Sequence, residues 1–95
     1  MRRAARVDAN QADIVAALRK LGASVQVLSQ GDGVPDLLVG YQNRVNLLLE
    51  VKDSEKSPSE RKLTPAQEIW HRDWRGRVAI VESVEDAVAV LWGSR

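Results

Sequence analysis

Asp36, Glu50 and Lys52 are the residues whose types and spacing could do chemistry. Glu50 and Lys52 stand two apart at the end of residues 45–52, a run that otherwise reads as a buried strand. Side chains two apart on a strand share a face. A carboxylate and an ammonium are thus set side by side at the end of an apolar element, where charge is costly unless paired or bound to a metal. Asp36 opens a second apolar run, residues 36–39, able to lie alongside the first. Two acids and a lysine converging on a sheet edge are the equipment of metal-dependent phosphodiester hydrolysis. A Glu-x-Lys pair alone equally describes a salt bridge closing a strand, and Asp36 a turn cap after Pro35. The apolar run ahead of Glu50 and its hairpin partner tip the balance toward a site.

If the two strands pair, the carboxylates of Asp36 and Glu50 come close and repel unless a cation or a proton compensates. A hard divalent cation would compensate them, polarise a phosphoryl oxygen and lower the pKa of an attacking water. Lys52 would orient that water and stabilise charge on the phosphate. Val51, between the two, turns its side chain to the core and offers its backbone carbonyl as a further oxygen ligand.

Composition narrows the chemistry further. The chain has no cysteine and one histidine, which excludes thiolate sites, disulfides and a zinc site built mainly from histidines. An oxygen-ligated magnesium or manganese ion passes this filter. At 95 residues the chain is one domain, 1–95, with the ordinary apolar content of a folded protein. No run approaches transmembrane length and no signal peptide is recognisable, so a cytoplasmic location is expected. A net charge of +1 argues only weakly for a polyanionic partner. The distribution says more: Arg2, Arg3 and Arg6 lie in a basic segment at 1–7, and Arg72, Arg75 and Arg77 cluster later. Each group could touch phosphates or simply solvate the surface.

These residues need elements to position them. A first helix is expected over 10–21, with Ile14, Leu18 and Leu21 as its apolar stripe, Asp8 or Asn10 as its cap and Gly22 as its end. Residues 24–28 alternate as a strand, and 29–35 form a loop broken by two glycines and a proline. Residues 36–39 and 45–52 make an antiparallel hairpin around 40–44. The segment 53–62 holds no apolar residue and reads as a flexible polar loop beside the site. Thr64-Pro65-Ala66-Gln67 is a strong helix start, carrying Ile69, Trp70, His71 and Trp74 and stopping near Gly76. Residues 77–82 form a last strand, and Ser83 caps a final helix with Val84, Ala87, Val88 and Leu91 on its apolar face. The fold class is therefore α/β, a small mixed sheet flanked by helices in the order α-β-β-β-α-β-α, with one parallel pairing across the helical crossover.

Gly33-Val34-Pro35-Asp36-Leu37, Leu49-Glu50-Val51-Lys52 and Leu63-Thr64-Pro65-Ala66-Gln67 together resemble the three motifs of the VRR-NUC nucleases, a branch of the PD-(D/E)XK superfamily. The resemblance spans nearly the whole chain. It implies a restriction-endonuclease-like core, Mg2+ or Mn2+ as cofactor and DNA endonuclease activity. Members this small resemble stand-alone phage or bacterial enzymes that dimerise and act on branched DNA such as Holliday junctions, in repair or recombination. Carried over, Asp36 and Glu50 are metal ligands, Lys52 the catalytic lysine, and Gln67 the helix glutamine completing the site. Gln67 also occupies a capping-box position, which gives it a purely structural reading. The first helix departs from the pattern: no glutamate precedes Glu50, leaving Gln11, acting through water, or the solvent-facing Asp13 in that place.

Arg2, Arg3, Arg6, Lys56, Arg61, Lys62 and Arg72 are the candidate DNA contacts. His71, one turn after Gln67, reads as packing or a phosphate contact before it reads as a general base. Trp70, Trp74 and Trp92 read as core or dimer-interface residues before they read as base-stacking ones. A nucleic-acid-binding module that cleaves nothing, a flap- or nick-directed repair nuclease, and a subunit of larger phage machinery are the competing readings.

Overall fold

The computed structural model describes residues 8–94. Helix α1 (Gln11–Lys20) leads into strand β1 (Ser24–Val27), then β2 (Leu37–Tyr41) and β3 (Val45–Val51). A one-turn helix α2 (Pro58–Arg61) and helix α3 (Pro65–Asp73) precede strand β4 (Val78–Val81) and helix α4 (Val84–Gly93). The sheet order is β1-β2-β3-β4, antiparallel across the first two pairings and parallel between β3 and β4. The α/β class, the mixed sheet and the element order expected from sequence are all present, with α2 as an addition.

That addition corrects the reading of 53–62 as a featureless loop. Ser57 caps Pro58–Arg61 with a full capping box to Glu60, a signal that needs no apolar residue. Asp53 is also buried, its Oδ1 accepting from the Glu55 amide. Smaller corrections concern ends. Asp36 lies just before β2, not within it. The hairpin turns through Gln42, Asn43 and Arg44, the first two near φ +54°, so β2 continues through Gly40 and Tyr41. Helix α3 stops at Asp73 instead of near Gly76. Leu21 is largely exposed, because α1 ends a residue earlier and the chain turns at Gly22.

Alternation along β3 divides the molecule. Val45, Leu47, Leu49 and Val51 face a core formed with Ile14 and Leu18 of α1 and Ala87 and Leu91 of α4. Glu50 and Lys52 point to the other face, where α3 meets the sheet. Residues on both faces of β3 are buried, which is why its sequence reads as an almost unbroken apolar run.

Candidate active site

Four segments meet at the end of β3. The loop ahead of β2 brings Asp36, whose Oδ2 accepts the Val51 amide at 2.7 Å. Strand β3 brings Glu50 and Lys52, and α3 brings Gln67 and His71. The start of α1 brings Asn10, whose Nδ2 donates to the carbonyls of Lys52 at 3.0 Å and Glu82 at 3.1 Å. Asn10 therefore fastens the ends of β3 and β4 and makes no side-chain cap for its own helix, contrary to the expectation from sequence.

Close approach between the Asp36 loop and α3 depends on Gly33. Its φ is +84°, and a Cβ there would stand 2.4 Å from the Ala66 carbonyl oxygen. The sequence suggested flexible backbone at this point; the structure instead uses glycine for contact. A cleft of about 370 Å³ opens where loop and helix face each other, with Gly31, Asp32, Asp36, Thr64 and Gln67 among its walls.

Gln67 performs both of its possible roles. Its Oε1 accepts from the Thr64 amide at 2.9 Å, closing the capping box, and from Lys52 Nζ at 2.7 Å. Its Nε2 donates to Glu50 Oε2 at 3.1 Å. Among the described residues no direct ion pair links Glu50 to Lys52, so the strand-closing salt bridge is replaced by a bridge through the Gln67 amide. The other Glu50 oxygen, Oε1, lies 3.3 Å from His71 Nε2. His71 thus belongs to the site more directly than its sequence context suggested. The signal was its position one helical turn beyond Gln67.

Glu50 is almost wholly buried. Burial, then the hydrogen bond and negative charge of the Asp36 carboxyl, push its pKa up to about 9, with Lys52 opposing and the Asp8 carboxylate adding to the rise. Burial, followed by the Lys52 charge, lowers His71 below the usual histidine value. The Glu50–His71 contact is therefore a hydrogen bond between neutral groups at neutral pH, not an ion pair. Two close carboxyls, one held protonated, form a donor set that a hard divalent cation can occupy by displacing the proton.

Gln11 is buried, and its Oε1 has no hydrogen-bond partner, while Asp13 faces solvent. An unsatisfied buried amide oxygen fits the water-mediated role expected of Gln11. Val51 buries its side chain in the core as expected, and its amide, not only its carbonyl, belongs to the site. Among the described residues no group of three or more acidic or histidine side chains gathers closely enough to hold an ion unaided.

The expected DNA contacts are mostly engaged elsewhere. Lys56 pairs with Asp8 at 2.6 Å, Arg61 with Glu82 at 2.9 Å and Arg72 with Asp73 at 3.0 Å, while Lys62 is exposed. Pairs at the surface are weak and can yield to a phosphate. Arg2, Arg3 and Arg6 lie outside the described residues. Trp74 and Trp92 are more than two-fifths exposed, which removes the core half of the core-or-interface reading for these two.

A solved structure described as a VRR_NUC domain superposes on this architecture with a TM-score of 0.67 and 26% identity, covering 90% of this chain and 92% of that one. The chain folds as a VRR-NUC domain. VRR-NUC domains are nuclease domains, so the scaffold around Asp36, Glu50 and Lys52 is that of a nuclease family. No protein-family model matches the chain, and no curated protein matches it in sequence. Among the described residues no helix is long and apolar enough to cross a membrane.

Proposed function

We propose that this VRR-NUC domain is a divalent-metal-dependent DNA endonuclease, with Asp36 and Glu50 as ligands to magnesium or manganese. The observation that carries the reading is the close Asp36–Glu50 carboxyl pair, set beside a lysine whose aim is held by Gln67. When bound, the ion supplies Lewis acidity toward a phosphoryl oxygen. Lys52, tethered at 2.7 Å to Gln67 Oε1, presents its ammonium to the water and the scissile phosphate. Gln67 holds Glu50 and Lys52 apart at a set geometry, which spares reorganisation during the reaction. His71 fixes the rotamer of Glu50.

The substrate we assign is branched DNA, with four-way junctions as the leading case. Lys56, Arg61 and Lys62 are phosphate-binding types on the short polar segment around α2, which suits recognition of DNA shape over base sequence. A homodimer suits a junction, whose two symmetry-related strands need two identical sites. Exposed Ile80 and Trp92 offer apolar surface for that association. A non-cleaving DNA-binding module is favoured by one observation: two acids, not three, define the ion's place among the described residues.

The deciding experiment incubates purified protein with linear, flap and four-way-junction DNA in magnesium, manganese or chelator. Metal-dependent cutting of the junction is expected. Binding without cutting under every metal would leave the module reading; faster cutting of the flap would keep the nuclease and change its substrate. Light scattering at about 10.5 kDa with undiminished junction cleavage would remove the dimer.

A further inference from the structure

A second cavity, of about 300 Å³, lies along α3 and is lined by Asp32, Ala66, Ile69, Trp70, Asp73 and Trp74. Asp32 and Ala66 also line the cleft that holds Asp36 and Gln67, so the two depressions share a wall. The floor is aromatic and aliphatic. Trp74 stacks on Trp70 with centroids 4.8 Å apart and planes at 22°, yet stays 44% exposed, and Ile69 is 52% exposed. Gly76 leaves room for this indole: a Cβ there would stand 2.8 Å from Trp74 Nε1. The aromatic surface is therefore built in place before any ligand arrives.

The rim carries two carboxylates, Asp32 and Asp73, the second paired with Arg72. The Asp32 carboxylate repels a phosphate, and both carboxylates keep lone pairs to accept hydrogen bonds from amino groups. A flat apolar floor with acceptors at its edge matches a nucleobase bearing an exocyclic amine. Trp74 follows Gln67 by seven residues, about 10 Å along the helix axis, which is the span of about three stacked nucleotides.

We propose that this cavity receives one unpaired nucleobase, within about three nucleotides of the scissile phosphate, stacked on Trp74 and hydrogen-bonded through its amine to Asp32 or Asp73. This rests on the nuclease reading above and names what that site selects: DNA with a base near the cut that is unpaired or, as at a branch point, easily unstacked. A base still paired in a duplex cannot enter without the cost of unstacking.

The test compares fluorescein-labelled duplexes of one sequence, blunt or with a short single-stranded overhang, titrated with protein in chelator so that nothing is cut. The wild type should bind the overhang about tenfold or more tighter than the blunt duplex. Trp74→Leu should erase most of that preference and Trp74→Phe should keep part of it. Ile69→Glu alters an exposed floor residue, so it decides the question if Trp74→Leu fails to fold, and it too should erase the preference. Equal binding of both probes by the wild type overturns the pocket assignment alone. Binding of neither probe overturns the nuclease reading and the pocket with it. If Trp74→Leu turns a dimer into a monomer while overhang affinity stays unchanged, the cavity belongs to a second copy of the chain and the proposal falls.

Discussion

Lys52 Nζ donates to Gln67 Oε1 across 2.7 Å, and that same oxygen accepts the Thr64 amide that starts α3. One atom thus links the capping of a helix to the aim of a lysine on a neighbouring strand. Gln67→Ala should lower stability by about 0.3–1.5 kcal/mol through the lost capping box. It should also slow cleavage by more than that loss explains, since Lys52 is no longer held. Thermal denaturation and single-turnover cleavage measure the two effects, and a variant with lowered stability but the wild-type rate would reduce Gln67 to a cap.

Lys52→Ala separates chemistry from metal binding. The ammonium is tied to Gln67 and not to either carboxyl. Metal affinity should therefore change little, while hydrolysis should fall by about 10²-fold or more. A folded variant cutting at the wild-type rate would remove Lys52 from the mechanism.

Manganese should raise the melting temperature of the wild type. Ligand at about a hundred times its Kd adds about 2.7 kcal/mol. Asp36→Asn keeps an oxygen for the Val51 amide, and Glu50→Gln keeps one beside Gln67 but cannot give up a proton to become an anionic ligand. Both should lose most of the shift, and calorimetry showing unchanged manganese affinity in the two folded variants would place the ion elsewhere.

The Glu50 proton makes metal-free stability depend on pH. Its pKa rises from 4.5 to about 9 on folding, so the folded protein keeps a proton that the unfolded chain releases. Stability from this group is complete below pH 4.5 and is lost as pH rises toward 9. His71 works in the opposite sense: its lowered pKa gives stability present above 6.5 and lost as pH falls. In chelator, wild-type melting should drop from pH 7 to pH 9, and Glu50→Gln should show a flatter profile. Parallel profiles would mean that Glu50 titrates normally.

Gly33→Ala should cost more than about 1 kcal/mol, because alanine is strained at φ +84° and its methyl would meet the Ala66 carbonyl. Cleavage should fall as well, since relief of the clash parts the Asp36 loop from α3. A neutral melting temperature would show that the loop accommodates a side chain.

Much of this was legible before any coordinates. The apolar run through 45–52 gave the central strand, and Thr64-Pro65-Ala66-Gln67 gave the start of α3, because both signals act within a few residues. Asp36, Glu50, Lys52 and Gln67 were read as one group, and the geometry does bring them together. The role of Asn10 was not legible, since its partners Lys52 and Glu82 are 42 and 72 residues away. Nor was the exposure of Trp74, because an aromatic on a helix gives no local sign of whether a second layer covers it. The α2 helix was missed for a different reason: attention to apolar content passed over a polar capping box at Ser57 and Glu60.

The Asn10 amide that spans the carbonyls of Lys52 and Glu82 has a consequence for how the molecule opens. Strand ends normally fray independently, each with its own small free energy. Here the first residue before α1 joins the ends of two parallel strands that are themselves linked by the Lys52 amide to Val81. Fraying at this edge must release all three elements together, so the Lys52 amide should exchange its hydrogen nearly as slowly as amides in the centre of β3. The end of the sheet that carries the candidate chemistry is then held as rigidly as its middle.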